Sequence, residues 1–323
     1  MDYRDLWGEN MENEKGVLET NVMKGIFWAF VASALWGVSG TILQFVSQQE
    51  HLEANWFLST RTMISGIVLL LISAIVYKGH IFNVFKSWKS FICIVAYGIF
   101  GLGANLYTFY MSVQTGNANA STILQYLAPL FILLGSIIFQ HRKPLPIDVM
   151  VFVIALAGVV LSLTKGDFSQ LSISTGSLIW GILSGVTAAF YVVLPRPIVG
   201  QSSPMVILGW GTLIAGIVFN IKQPIWVNMP HMTPGIVFGV GGIILFGTIL
   251  PFMLLLHALN FAPSEVVSLV DATQPIVTFI LSVIFFSISI SFIEIVGALL
   301  VILAIFILQK SHRKLTIDKH SEE

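Results

Sequence analysis

The sequence predicts an all-α membrane protein of about ten transmembrane helices arranged as two inverted-topology five-helix repeats. Three observations predict it. Apolar side chains far outnumber charged ones, charge-poor stretches of span length recur along the chain, and a segment of one half can be laid on a segment of the other without gaps.

Of the 323 residues, 56% are apolar and 10% charged, and the mean hydropathy is +0.88. Such a chain has too little polar surface to cover a water-soluble domain of its size, so a lipid bilayer is its first expected partner. Lys and Arg balance Asp and Glu at 16 each and form no long basic run, which argues against a nucleic-acid partner. Cys93 is the only cysteine and lies in an apolar run. Neither a disulfide framework nor a thiolate metal cluster is available, and no metal or other cofactor is expected.

Residues 1–24 are polar and mixed in charge, and they precede an apolar run too long and too Trp-rich for a removable signal peptide. They read as a leader, and Met23 beside Lys24 is an alternative start that would leave the leader outside the product. Five charge-poor stretches follow in the first half, Ile26–Val46, Trp56–Tyr77, Phe91–Met111, Ala118–Phe139 and Ile147–Thr164. The second half repeats the rhythm with Gly176–Leu194, Pro204–Ile221, Pro234–Leu256, Ser264–Phe286 and Ser289–Leu308. The repeats occupy residues 25–165 and 174–309, leaving 310–323 as a cytoplasmic tail. Arg4, Lys15, Lys24, Lys78, Lys86, Lys89, Arg142, Lys143, Arg196, Lys310, Arg313, Lys314 and Lys319 fall on the side holding both termini, against Lys165 and Lys222 opposite. The positive-inside rule makes that side cytoplasmic, in a multi-pass protein of the plasma (cell inner) membrane.

The run GLGANLYTFYMSVQTGNANASTILQYLAPLFILLGSIIF lies on FGTILPFMLLLHALNFAPSEVVSLVDATQPIVTFILSVIFF at a shift of about 146 residues, so Gly101 falls on Gly247 and Pro129 on Pro275. Five spans per half is an odd number, so the second half enters the membrane the opposite way up. That arrangement is associated with alternating access around a midplane site.

With these residues in view, the chain resembles the EamA branch of the drug/metabolite transporter superfamily over about Met23 to Leu308. The family's halves end with a small-residue entry, a Pro-containing span, a short turn and a Gly-bearing span, here NANASTILQYLAPLFILLGSIIF…LAGVV and APSEVVSLVDATQPIVTFILSVIFF…VGALL. Two positions depart: Ala128 and Gln274 precede the prolines where the family often has Glu, and the turns QHRKP and SIS lack its acid. The resemblance implies a carrier of small organic metabolites, with export as the favoured direction. Amino acids, amines, sugars, nucleotide sugars and drugs all fall within the class.

Arg61 lies inside the second span, where leaving its charge in hydrocarbon costs about 2.5–3.5 kcal/mol or more, so it faces protein or a water-filled cavity. It either holds a substrate carboxylate or, near the span's outer end, snorkels to the interface or bonds helix carbonyls. Asp271 shares a helix face with Ser264, Ser268 and Pro275, and the shift superposes that stripe on Ala118, Thr122, Gln125 and Pro129. Gln125 and Asp271 thus become equivalent groups at one depth, expected to line a cavity. The alternative is an Asp271–Arg61 ion pair that only fixes packing. Pro129 and Pro275 remove backbone donors and free carbonyls at the site. Trp36, Tyr107, Tyr126 and Tyr191 are the deeper aromatic candidates for the lining, whereas Trp28 and Trp180 sit at span ends where aromatic belts occur. Glu265 reads as a helix-capping acid, and Glu294 and Asp148 as interfacial.

No HExxH, GxSxG elbow or Walker glycine loop occurs, so no enzyme is expected. The expected function is secondary transport of a small molecule, foremost an amino acid or related zwitterion, with a proton as the candidate coupling ion at Asp271. An amine or drug exporter of the same superfamily is one alternative. A non-transporting sensor or scaffold is the other, and it needs no cavity at Asp271 and Gln125. The sequence sets no oligomeric state.

Overall fold

The computed structural model describes residues 21–139, 141, 143–199, 201–287 and 291–321, with the side chains of Ser264, Glu265, Ser268, Leu269, Gln309 and 312–321 outside the description. Residues 1–20 of the leader, Arg142 and the expected start of the last span at Ser289 therefore lie outside the described residues, as do the side chains of Ser264 and Ser268 in the polar stripe and of the Glu265 cap. Among the described residues the chain is helical, with no strand beyond an isolated bridge between Val199 and Ser202.

Eight helices among the described residues are long and apolar enough to cross a membrane: α1 Val22–Gln49, α2 Ala54–Phe85, α3 Trp88–Thr115, α4 Ala118–Phe139, α5 Pro146–Thr164, α6 Thr175–Ile198, α7 Pro204–Lys222 and α8 Pro234–Ala258. Three more follow, α9 Ser264–Asp271, α10 Gln274–Phe286 and α11 Phe292–Ser321, the last running on past its apolar part, which ends at Leu308. Side-chain caps open several of them. Asn117 accepts from the Ala120 amide at 2.8 Å before α4, and Ser174 from that of Ser177 at 3.0 Å before α6.

Where the sequence suggests one span over Ser264–Phe286, the structure has two helices, and α4 is interrupted in the same way between Gln125 and Ala128. The prolines explain both breaks. Pro129 and Pro275 carry no amide hydrogen, so the carbonyls of Gln125 and Asp271, four residues earlier, lose their helical donors. The interruptions fall directly after those residues, at Tyr126–Leu127 and Ala272–Thr273.

A second local irregularity is invisible in the hydropathy. α3 widens to π-helical turns over Tyr97–Gly103, and α8 does so over Leu245–Ile249. Gly101 and Gly247, which the internal match superposes, each lie in one of them. A π-turn adds a residue to the helical register, frees backbone carbonyls and rotates the face presented by everything downstream.

Glycines set the closest helix contacts. α2 and α7 run antiparallel: Trp56 donates to the Ile225 carbonyl at 2.9 Å and Ser59 to that of Gln223 at 2.7 Å, and one contact further along, Gly216 lies on the backbone of Met63 and Gly66 on that of Leu213. α5 and α11 are likewise antiparallel. A Cβ on Gly158 would stand 2.7 Å from the Gly297 carbonyl, and one on Gly297 would stand 2.5 Å from the Ser162 amide. Lys165 closes α5 in the left-handed region and pairs with Glu294 at the start of α11, at 3.1 Å. Large apolar side chains such as Phe30, Ile75, Phe100, Ile138, Phe238 and Phe285 point outward, as lipid contact requires.

Candidate substrate-binding site

A cavity of about 360 Å3 lies among the helices, and every helix except α5 contributes to its wall. Of the residues singled out in the sequence, Trp36, Arg61, Gln125, Tyr126, Pro129, Tyr191 and Asp271 line it.

Arg61 enters from α2 and is buried, 8% exposed, so it does not snorkel to an interface. Its Nε donates to the Thr248 hydroxyl at 3.3 Å, and its Nη2 donates to that hydroxyl at 3.2 Å and to the Gly247 carbonyl at 3.3 Å. Both acceptors stand in the π-helical turn of α8, and the Gly247 carbonyl is open to Arg61 because Pro251, four residues on, has no amide hydrogen to give it. These bonds make no use of Nη1. Among the described residues no carboxylate pairs with Arg61, and the Asp271–Arg61 ion pair that the sequence left open is not formed.

Asp271 is the last residue of α9. Ser33 of α1 donates to its Oδ1 at 2.9 Å, and the single hydroxyl hydrogen of Tyr126 goes to the Asp271 backbone carbonyl at 2.9 Å, with Oε1 of Gln274 a longer second acceptor at 3.3 Å. Gln125, its counterpart in the first half, is engaged differently. Its amide donates to Oδ1 of Asn105 at 3.2 Å and to the Ser184 hydroxyl at 3.1 Å, and Asn105 donates onward to the Ser184 carbonyl at 3.0 Å. The two positions that the internal sequence match superposes thus carry a neutral cross-helix clasp at one and an acid at the other. Trp36 meets Phe252 edge-on with centroids 5.0 Å apart, and Tyr191 lies against Tyr97 at 5.5 Å.

One expectation turns out otherwise. Tyr107 does not line the main cavity; it packs edge-on to Trp180 at 5.7 Å beside a second cavity of about 290 Å3 shared with Asn55, Phe219 and Lys222. The π-turns over Tyr97–Gly103 lie just upstream, and the extra residue rotates α3 so that Asn105, Leu106 and Phe109 face the main cavity in its place. Pro275 is buried behind the wall, and its neighbour Gln274 lines the cavity.

With this geometry in place, the comparison that decides the family is a match to the EamA-like transporter family over residues 23–164 and 175–309. The chain belongs to the EamA-like transporter family. Its EamA relatives include an uncharacterized inner membrane transporter, YicL, of Salmonella typhimurium LT2, 25% identical over 299 residues that span 90% of this chain and 97% of YicL. The threonine/homoserine exporter RhtA of Salmonella typhimurium SL1344 is 24% identical over 233 residues, 68% of this chain and 74% of RhtA. One solved crystal structure superposes with a TM-score of 0.60 at 14% identity, covering 91% of this chain and 99% of the other, a likeness of fold. This EamA chain is a multi-pass membrane transporter.

Sequence reasoning missed Ser33, Asn105, Ser184 and Thr248 of this EamA chain. All are small or neutral polar side chains within apolar helices, where hydropathy averages them away. Two faint signals existed: Thr248 adjoins Gly247, which the internal match singled out, and Gln274 marked a departure from the family pattern.

Proposed function

We propose that this protein is a secondary carrier of small zwitterions, foremost amino acids, exporting them by alternating access. Arg61 binds the carboxylate and Asp271 the ammonium group. One observation carries this reading: a buried guanidinium and a carboxylate line the same cavity and are not paired with each other. Buried charges require partners, and a zwitterion supplies both at once. The volume of about 360 Å3 falls in the range of small-molecule pockets and suits an amino acid. A cavity at Asp271 and Gln125 also favours a carrier over a scaffold, which needs none.

The full architecture in this proposal is ten spans in two inverted repeats, with α9 and α10 together forming the ninth. The antiparallel contacts of α2 with α7 and of α5 with α11 support it, because equivalent helices of inverted halves must run in opposite directions. Similarity to a threonine/homoserine exporter supports both the zwitterion and the direction, and similarity to an inner membrane transporter supports that location. Both termini are cytoplasmic on the bias of loop cations. The driving force is a gradient, with a proton at Asp271 as coupling ion.

The test is thermal stabilisation of the purified protein by L-threonine, L-homoserine, other amino acids, amines and hydrophobic cations, since a ligand that prefers the folded state raises its stability. Stabilisation by zwitterions that vanishes in Arg61→Gln is the expected result. Stabilisation by organic cations alone, lost in Asp271→Asn and indifferent to Arg61→Gln, would move the assignment to amine or drug export.

A further inference from the structure

The carbonyl of Asp271 lacks its helical donor because residue 275 is proline. The hydroxyl of Tyr126 supplies the missing bond at 2.9 Å. Tyr126 is itself the first residue of the other interruption, directly after Gln125. One side chain therefore ties the irregular turn of α4 to the irregular turn between α9 and α10. The tie is one-sided: at the shift of about 146 residues the counterpart of Tyr126 is Ala272, which has no hydroxyl to offer the Gln125 carbonyl.

A part-buried carbonyl at membrane depth without a donor is costly, so the bond holds until the two breaks separate or another donor replaces it. The same residue carries the carboxylate, held by Ser33 of α1 at 2.9 Å. Any motion that carries α9 and α10 away from α4 must break the Tyr126 bond. A ligand ammonium or a proton arriving at Asp271 acts on the residue that accepts it.

We propose that Tyr126 is a latch in the transport cycle, a positioning residue whose bond to the Asp271 carbonyl holds the two helix breaks together in this conformation and is released when the cavity turns to the other face. The latch rests on the alternating-access reading and is independent of which substrate is carried.

The test uses the full chain with Cys93→Ser and a cavity reporter, Ala188→Cys, in membrane vesicles of both orientations. The readout is the ratio of the rates at which a membrane-impermeant maleimide modifies the reporter from the two faces. Tyr126→Phe removes only the hydroxyl and should shift that ratio by roughly fivefold, the population change expected from one net hydrogen bond. Pro275→Ala returns an amide hydrogen that competes for the Asp271 carbonyl, so it should shift the ratio in the same direction with Tyr126 intact. It also keeps the proposal testable if Tyr126→Phe fails to fold. The double variant should shift no further than the larger single change, because both act on one bond. Modification from both faces with a ratio that neither variant moves, or single shifts that add in the double, overturns the latch. Modification from one face alone in every protein overturns alternating access itself. Neither result bears on ligand stabilisation by zwitterions, so the substrate assignment stands or falls separately.

Discussion

Arg61 and Thr248 meet inside the cavity wall, where one threonine hydroxyl accepts both Nε at 3.3 Å and Nη2 at 3.2 Å of the guanidinium. The planar fork is thereby fixed on α8 with Nη1 uncommitted, which pre-organises it for a carboxylate. Thr248→Val keeps the shape and removes the acceptor. We predict a loss of stability of about 1–3 kcal/mol from the orphaned donors. L-Threonine affinity should weaken by roughly tenfold as the fork loosens, and Thr248→Ser should restore both. Calorimetry and thermal melts of the purified variants check this. A valine variant with full affinity would mean that the π-helical carbonyl of Gly247 positions Arg61 unaided.

Asp271→Asn separates the charge from the geometry. The amide oxygen can still accept from Ser33, and the backbone carbonyl can still accept from Tyr126, so the fold should hold. Transport in proteoliposomes should fall by tenfold or more, about 1.4 kcal/mol of lost ammonium or proton binding, and its response to an imposed pH gradient should flatten. Full transport with unchanged pH dependence would remove Asp271 from the mechanism.

Gln125 should behave in the opposite manner to its counterpart. Its amide is committed to Asn105 and Ser184, which belong to α3 and α6. Gln125→Leu strips partners from that clasp and should destabilise the protein by about 1–3 kcal/mol. Affinity for zwitterions should change less than about threefold, since the residue carries no charge for the ligand to meet. A large loss of affinity with an unaltered melting temperature would place Gln125 against the ligand instead.

The features legible in the sequence were those that hydropathy and charge record. Span-length stretches, the two prolines and the two charges at membrane depth all announced themselves, because each violates or satisfies a rule of the bilayer as solvent. Tyr107 was misplaced for a specific reason: it was chosen by its depth along the span, and depth does not say which way a side chain faces, which in α3 follows π-turns that the sequence did not reveal. Thr248 and Ser33 were silent because a hydroxyl in an apolar helix usually satisfies itself on its own backbone, as Thr41 and Thr62 do here. Only the fold shows which hydroxyls reach across to a charge.

The glycines of the α5–α11 contact allow a test of the architecture at a substitution outside the cavity, since α5 contributes nothing to its wall while α11 reaches it with Ile302, Ile305 and Phe306. A Cβ on Gly158 would meet the Gly297 carbonyl at 2.7 Å and the Val301 amide at 2.9 Å, both backbone atoms that cannot turn aside. Gly158→Ala should therefore cost about 1–3 kcal/mol, the usual penalty of overpacking. Gly135 in α4 has open space where its Cβ would stand, so Gly135→Ala should stabilise by about 0.5–1 kcal/mol through helix propensity alone. Melting temperatures of the two variants should move in opposite directions while zwitterion affinity stays constant in both. Equal shifts would show that α5 and α11 do not approach through their glycines. A loss of affinity in Gly158→Ala would show that the packing of α5 sets the position of the α11 residues in the cavity wall, as it would if α5 and α11 moved together during transport.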